Sequence, residues 1–200
     1  MKKKNKIIGK IFILCPLTFI AVLIIWNILY EPLPKILIGE NAITAKQLIV
    51  YSDNYVKTYA KNKDMYLSNI IMRVNGKHEG KISITYTHKK NGGYNRYNVE
   101  INNIEHIILT MHQIDKSVPA SIYYINFANW IIDSDEAVNL ARRALKNEGI
   151  EVDNNDDIYI VGRRSGQKEY WLILFTKKPG IIIDAYTGEA TRRYLLDGLK

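Results

Sequence analysis

The chain has 200 residues and a formal net charge of +8, with 47% hydrophobic residues, 24% charged residues, 12 glycines and a single cysteine. These proportions exclude a disordered or collagen-like chain, and one thiol excludes an internal disulfide framework. The positive charge is concentrated at one end: Lys2, Lys3, Lys4, Lys6 and Lys10 precede the first apolar run, and the other 23 of the 28 basic residues nearly balance 20 acidic ones, so the total is poor support for nucleic-acid binding.

From Ile11 to Tyr30 no side chain is charged. A helix rising ~1.5 Å per residue crosses about 30 Å over that run, the thickness of a bilayer's hydrocarbon core, which predicts a transmembrane helix over residues 11–30. The lysines predict a cytoplasmic basic tail over residues 1–10, and Trp26 and Tyr30 suit the far interface. Asn27 to Pro32 lacks the small-x-small pattern that signal peptidase needs, so the anchor is expected to stay uncleaved. Cys15 lies too early in the apolar run, after the bulky Leu14, for lipidation. The expectation is a single-pass protein of the cell membrane with its main domain extracytoplasmic. Pro32 and Pro34 then favour an extended tether over residues 31–41.

A first unit is expected over residues 42–118. Thr44, followed three residues later by Gln47, is a capping-box signal that predicts a helix to about Lys61, with Leu48, Tyr51, Tyr55 and Tyr59 as its buried stripe. Alternating runs over Asn69–Val74, Ile82–Thr87, Tyr94–Ile101 and Ile104–Ile114 predict antiparallel strands. Asn75-Gly76 and Asn91-Gly92-Gly93 supply the positive φ angles that tight hairpins demand.

A second unit, residues 130–200, repeats the plan. Asp133-Ser134-Asp135-Glu136 suits a helix start, Ala137, Leu140, Ala141, Ala144 and Leu145 form its apolar stripe, and Gly149 is placed to end it in a left-handed conformation. Ile158–Gly162, Glu169–Phe175, Gly180–Asp184 and Glu189–Tyr194 read as strands, split by Ser165-Gly166, Lys178-Pro179-Gly180 and Thr187-Gly188.

Ala137-x-x-x-Ala141 on a short helix, then Tyr170-Trp171-Leu172-Ile173, then Ile183-Asp184-Ala185-Tyr186-Thr187-Gly188-Glu189 resembles a PepSY domain over roughly Ile131 to Leu195. In the first unit Asn98 to Asn103 takes the place of the Asp-x-x-Thr-Gly turn without its residues and resembles a degenerate copy. The resemblance implies an α+β fold of two cystatin-like, PepSY-like units, each a helix packed on an antiparallel β-sheet, after the transmembrane helix. It also implies a bacterial envelope module that inhibits or regulates a peptidase or a cell-wall synthase, with no chemistry and no cofactor of its own.

For the motif itself, Asp184 is expected to accept backbone amides in the turn that Thr187 and Gly188 make possible, a structural role. Tyr94, Tyr97, Tyr170 and Trp171 are the candidate partner contacts, since aromatics on a strand alternate between core and surface. No catalytic residue is assigned: no Gly-x-Ser-x-Gly elbow and no phosphate-binding glycine loop occurs. No metal site is assigned either, because His106 and His112, six residues apart on a strand, would stand about 20 Å apart. The acidic cluster of Glu151, Asp153, Asp156 and Asp157 lacks calcium-loop spacing and reads as a solvated turn. The function expected is thus non-catalytic binding and regulation of an envelope protein. The alternative is an extracytoplasmic receptor for a small lipid or peptide, for which a large tyrosine-lined cavity would argue.

Overall fold

The computed structural model of the chain divides into two compact units, Met1–Leu33 and Pro34–Lys200. It describes residues 36–38, 44–60, 64–76, 79–90, 93–114, 124–153 and 155–193, all within the second unit. The expected basic tail and transmembrane span, residues 1–30, lie outside the described residues. Among the described residues no helix is long and apolar enough to cross a membrane.

The second unit is α+β, as expected. Its elements are β1 (Ile36–Leu37), α1 (Ala45–Tyr59), β2 (Tyr66–Val74), β3 (Gly80–Lys90), β4 (Gly93–Asn102) and β5 (Ile107–Ile114). A 3₁₀ turn (Phe127–Asn129) follows, then α2 (Ser134–Asn147), β6 (Ile158–Ser165), β7 (Lys168–Phe175), β8 (Gly180–Asp184) and β9 (Ala190–Arg193). The strands form one antiparallel sheet in the order β1-β5-β4-β3-β2-β6-β7-β8-β9. Two helix-and-meander halves are therefore joined edge to edge, through the antiparallel pairing of β2 with β6, where Met72 lies opposite Ile160.

One face of the sheet carries the core. Ile70, Met72 and Val74 of β2, Ile82, Ile84 and Tyr86 of β3, and Trp171, Ile173 and Phe175 of β7 are buried there. Both helices lie on this face: the Tyr86 hydroxyl donates to Asp53 of α1, and the Arg142 guanidinium of α2 stands 5.9 Å from the centre of the Phe175 ring. Helix α1 buries Ala45, Leu48, Ile49, Ser52, Tyr55 and Val56. The expected stripe is thus displaced. Tyr51 and Tyr59 are only half-buried, whereas the small residues Ala45 and Ser52 are fully buried.

The starts of the two helices meet. Thr44 forms the expected capping box, its hydroxyl accepting from the Gln47 amide and the Gln47 side chain accepting from the Thr44 amide. Asp133 Oδ1 accepts from the Ser134 amide at 2.7 Å and also from the Lys46 amide of α1 at 3.2 Å, while the Ser134 hydroxyl accepts from the Ala45 amide at 2.9 Å. One carboxylate therefore faces the positive ends of two helices, where each orphan amide would otherwise lack an acceptor. Asp133→Ala is expected to destabilise the unit by about 2 kcal/mol, roughly one unit for each cap lost, and Asp133→Asn by less because asparagine also caps. Urea unfolding followed by circular dichroism measures the difference, and equal losses in the two variants would contradict the shared cap.

The two halves repeat at the level of single hydrogen bonds. In the second, Asp184 Oδ1 accepts from the amides of Tyr186 and Thr187, both at 2.9 Å, and Gly188 has φ +73°. In the first, Asn102 Oδ1 accepts from the amides of Ile104 and Glu105 at 3.0 and 3.4 Å, and His106, four residues on, has φ +50°. The Ala185 amide donates to the Glu169 carbonyl as the Asn103 amide donates to that of Gly80. Asparagine can form this turn as aspartate does, because either side chain offers an oxygen to the amides two and three residues on. The turn moves the start of β5 to Ile107 from the expected Ile104. Within the expected tether, Ile36 and Leu37 pair with Ile108 and Ile107, an addition to the sheet that the prolines beside them did not announce.

Candidate functional site

Strand β7 alternates between the two faces. Glu169, Trp171 and Ile173 point into the core, so Tyr170, Leu172 and Leu174 point the other way, onto the face that neither helix covers. The inward residues hold this register firmly. Trp171 is fully buried, its indole NH donates to the Ile132 carbonyl at 3.0 Å, and its ring meets Trp130 and Phe127 edge-on at 4.9 and 5.9 Å between centres.

Glu169 is 4% exposed, yet its carboxylate is well supplied with donors. Oε2 accepts from the Trp130 indole at 2.5 Å and the Tyr186 hydroxyl at 2.6 Å, and Oε1 from the Asn126 amide at 3.2 Å, with the Arg164 guanidinium 3.7 Å away. Three separate segments are tied to one side chain: the loop before α2, the end of β6 and the β8–β9 turn. The hydrogen bond to Glu169, with burial, pushes the Tyr186 hydroxyl up to about 12. In the same turn, burial alone would raise the Asp184 carboxyl, but hydrogen bonds from the Thr187 and Tyr186 amides outweigh it and hold the group below its ordinary value. Asp184, Thr187 and Gly188 therefore build a turn. The acidic cluster also closes on itself, with Asp153 accepting from the Asn155 amide and Asp156 from the Asp153 amide.

The face opposite the helices carries a row in register across four strands: Ile71, Val161, Leu172 and Ile182. Ile71 and Ile182, at its ends, are half-buried, and Val161 and Leu172 are 7% and 8% exposed. An Arg–Tyr pair flanks the row on each side. The Arg73 guanidinium lies 5.3 Å from the Tyr159 ring centre, and that of Arg163 lies 5.9 Å from the Tyr170 ring centre. Both arginines are exposed. Towards β3 and β4 the surface dips into a depression of about 360 Å³ lined by Ile71, Arg73, Lys81, Ser83 and Glu100. The result is a trough with an apolar floor and an arginine–tyrosine pair on each wall, with Asp184 next to Tyr170 in one wall and Glu100 beyond Ile71 at one end of the floor.

The four aromatic candidates divide between the faces. Trp171 and Tyr97, 0% and 5% exposed, belong to the core and are withdrawn as partner contacts, because their strand positions point towards the helices. Tyr170 forms a wall of the trough. Tyr94 lies away from it, against Tyr124, whose hydroxyl is raised first by burial and then by Tyr94; Tyr124 in turn packs on Tyr66 at 4.6 Å between ring centres. Ile71, Arg73, Tyr159 and Ile182 were not singled out from sequence. Their signal is the unbroken apolar run of Tyr170 to Phe175 and of Ile181 to Ile183, where a strand wet on one face would alternate. Among the described residues no group of three or more His, Cys, Asp or Glu side chains converges. No protein-family model matches the chain, and no curated protein or solved structure matches it either.

Proposed function

We propose that this chain is a membrane-anchored, extracytoplasmic PepSY-type module with two cystatin-like units, which binds and regulates an envelope protein, either a peptidase or a cell-wall synthase, without chemistry of its own. The observation that carries the reading is the trough. A sheet face with an in-register apolar row between two exposed arginines is built for contact, since aromatic and arginine side chains dominate protein interfaces and a wholly solvated face would be polar throughout. The lysine-flanked apolar run of residues 11–30 supports the membrane anchor, and the Asp184-to-Gly188 turn with its counterpart at Asn102 supports the repeated unit. The node at Glu169 keeps β7 in register and so presents Tyr170 and Leu172 outward, which is a scaffold's task.

Photocrosslinking in intact cells from position 182, at one end of the row, tests this reading. Repeated capture of one envelope peptidase or wall enzyme is expected, with capture from exposed position 104 as the control that should lack it. Position 182 capturing only lipid or short peptides would move the function to a ligand receptor, and finding the Pro34–Lys200 unit protected in the cytoplasm would remove the envelope assignment.

A further inference from the structure

We infer that the trough receives an amphipathic helix of the partner whose apolar stripe is flanked on both sides by acidic residues. This rests on the reading above, that the face docks a protein, and adds which kind of segment it takes. Four strands about 4.8 Å apart make the row Ile71–Val161–Leu172–Ile182 roughly 14 Å long, which matches between two and three turns of helix. The Arg73–Tyr159 and Arg163–Tyr170 pairs lie four residues apart along β6, at positions 159 and 163, so the walls stand roughly 13 Å apart, close to the 10–12 Å diameter of a helix.

The backbone argues for a helix over a strand. An extended segment gains its hydrogen bonds at the edge of a sheet, whereas on the face it would bury its amides and carbonyls against side chains without partners. A helix satisfies them internally and lays one apolar stripe on the floor. Charge then selects what borders the stripe. Arg73 and Arg163 are exposed, make no ion pair among the described residues, and lie beside tyrosine rings that hold the guanidinium planes while leaving donors free for a carboxylate. Lys81, the cross-strand neighbour of Arg73, lies at the same end and faces Glu100 across the depression, so the two exposed arginines carry the selection. A wall polymer offers anions but nothing for the apolar floor, and a bilayer presents its anionic groups above its hydrocarbon instead of on both flanks of a stripe.

The test uses the full chain in zwitterionic nanodiscs and two labelled 18-residue helical peptides that share one leucine stripe, flanked by glutamate in one and lysine in the other. Fluorescence anisotropy, corrected for empty nanodiscs, is expected to show at least tenfold tighter binding of the glutamate-flanked peptide. The double variant Arg73→Glu/Arg163→Glu, both surface positions, is expected to reverse the preference while its circular dichroism stays that of the parent. Equal binding of the two peptides, a preference that survives the reversal, or displacement of the peptide by phosphatidylglycerol vesicles would each overturn the inference. Capture of an envelope enzyme from position 182 without any peptide preference would leave the docking face standing and remove only the acidic helix. Peptide preference without capture would do the opposite, keeping the occupant's chemistry and removing the envelope partner.

Discussion

Replacing Trp171 with alanine is expected to lower the unfolding free energy by about 3–5 kcal/mol, the range for emptying a buried aromatic site. The ring is fully buried, touches Trp130 and Phe127 edge-on, and satisfies the Ile132 carbonyl through its indole NH. Trp171→Phe would refill most of the volume but leave that carbonyl unpaired, so an intermediate loss is expected. The site is also closed from the far side by Gly162 on the neighbouring strand, where an added Cβ would stand 2.7 Å from Trp171 Cζ3. Gly162→Ala alone should cost about 1–3 kcal/mol through overpacking, yet little in the Trp171→Ala background, where the methyl enters the vacated space. Urea unfolding of the four chains, followed by far-ultraviolet circular dichroism, measures the coupling. Additive losses would mean that ring and glycine do not share one packed site.

The same tryptophan marks where sequence reasoning stops. Apart from β1, the order of helices and strands could be read from the periodicity, the capping box at Thr44 and the turn pairs, because each is a local signal and the structure obeys it to within a few residues. Which face of β7 is inner could not, since Tyr170 to Phe175 is apolar at every position and a period of two has nothing to register against. The core tryptophan and the surface tyrosine therefore looked alike. The trough was hidden for a related reason: it is assembled from β2, β6, β7 and β8, and its pairing of Ile71 with Val161 joins residues far apart in the chain. Nothing local in either half announces that β2 and β6 are neighbours. The turn at Asn102 was misplaced: the segment expected to stand for it, Asn98 to Asn103, runs mostly within β4, and the turn itself begins at Asn102, because asparagine and a left-handed His106 replace aspartate and glycine.

Glu169→Ala is expected to cost about 3 kcal/mol, more than its single distant cation would suggest. Removing the carboxylate leaves the Trp130 indole and the Asn126 amide as buried donors without acceptors, and each such group carries a desolvation cost of roughly 1–3 kcal/mol. Glu169→Gln is the sharper probe. It keeps the shape and one acceptor, but its NH₂ must oppose either the Trp130 and Tyr186 pair or the Asn126 amide, so a smaller loss of about 1–2 kcal/mol is expected. Tyr186 reports on the change directly. Its hydroxyl stands at about 12 because the proton is held by Glu169, and a raised folded value means that the folded chain keeps this proton at a pH where the unfolded chain has released it. The contribution of that hydrogen bond to stability is therefore complete below the ordinary tyrosine value near 10 and declines as pH rises through about 12. In Glu169→Gln the Tyr186 titration should move down towards 10, read as tyrosinate absorbance against a Tyr186→Phe control, and stability should begin to depend less on alkaline pH. A titration unmoved by the substitution would show that burial, and not the carboxylate, holds the proton, and the tie between the β8–β9 turn and β7 would have to rest on the backbone, through the Tyr170–Asp184 pairing and the bond from Ala185.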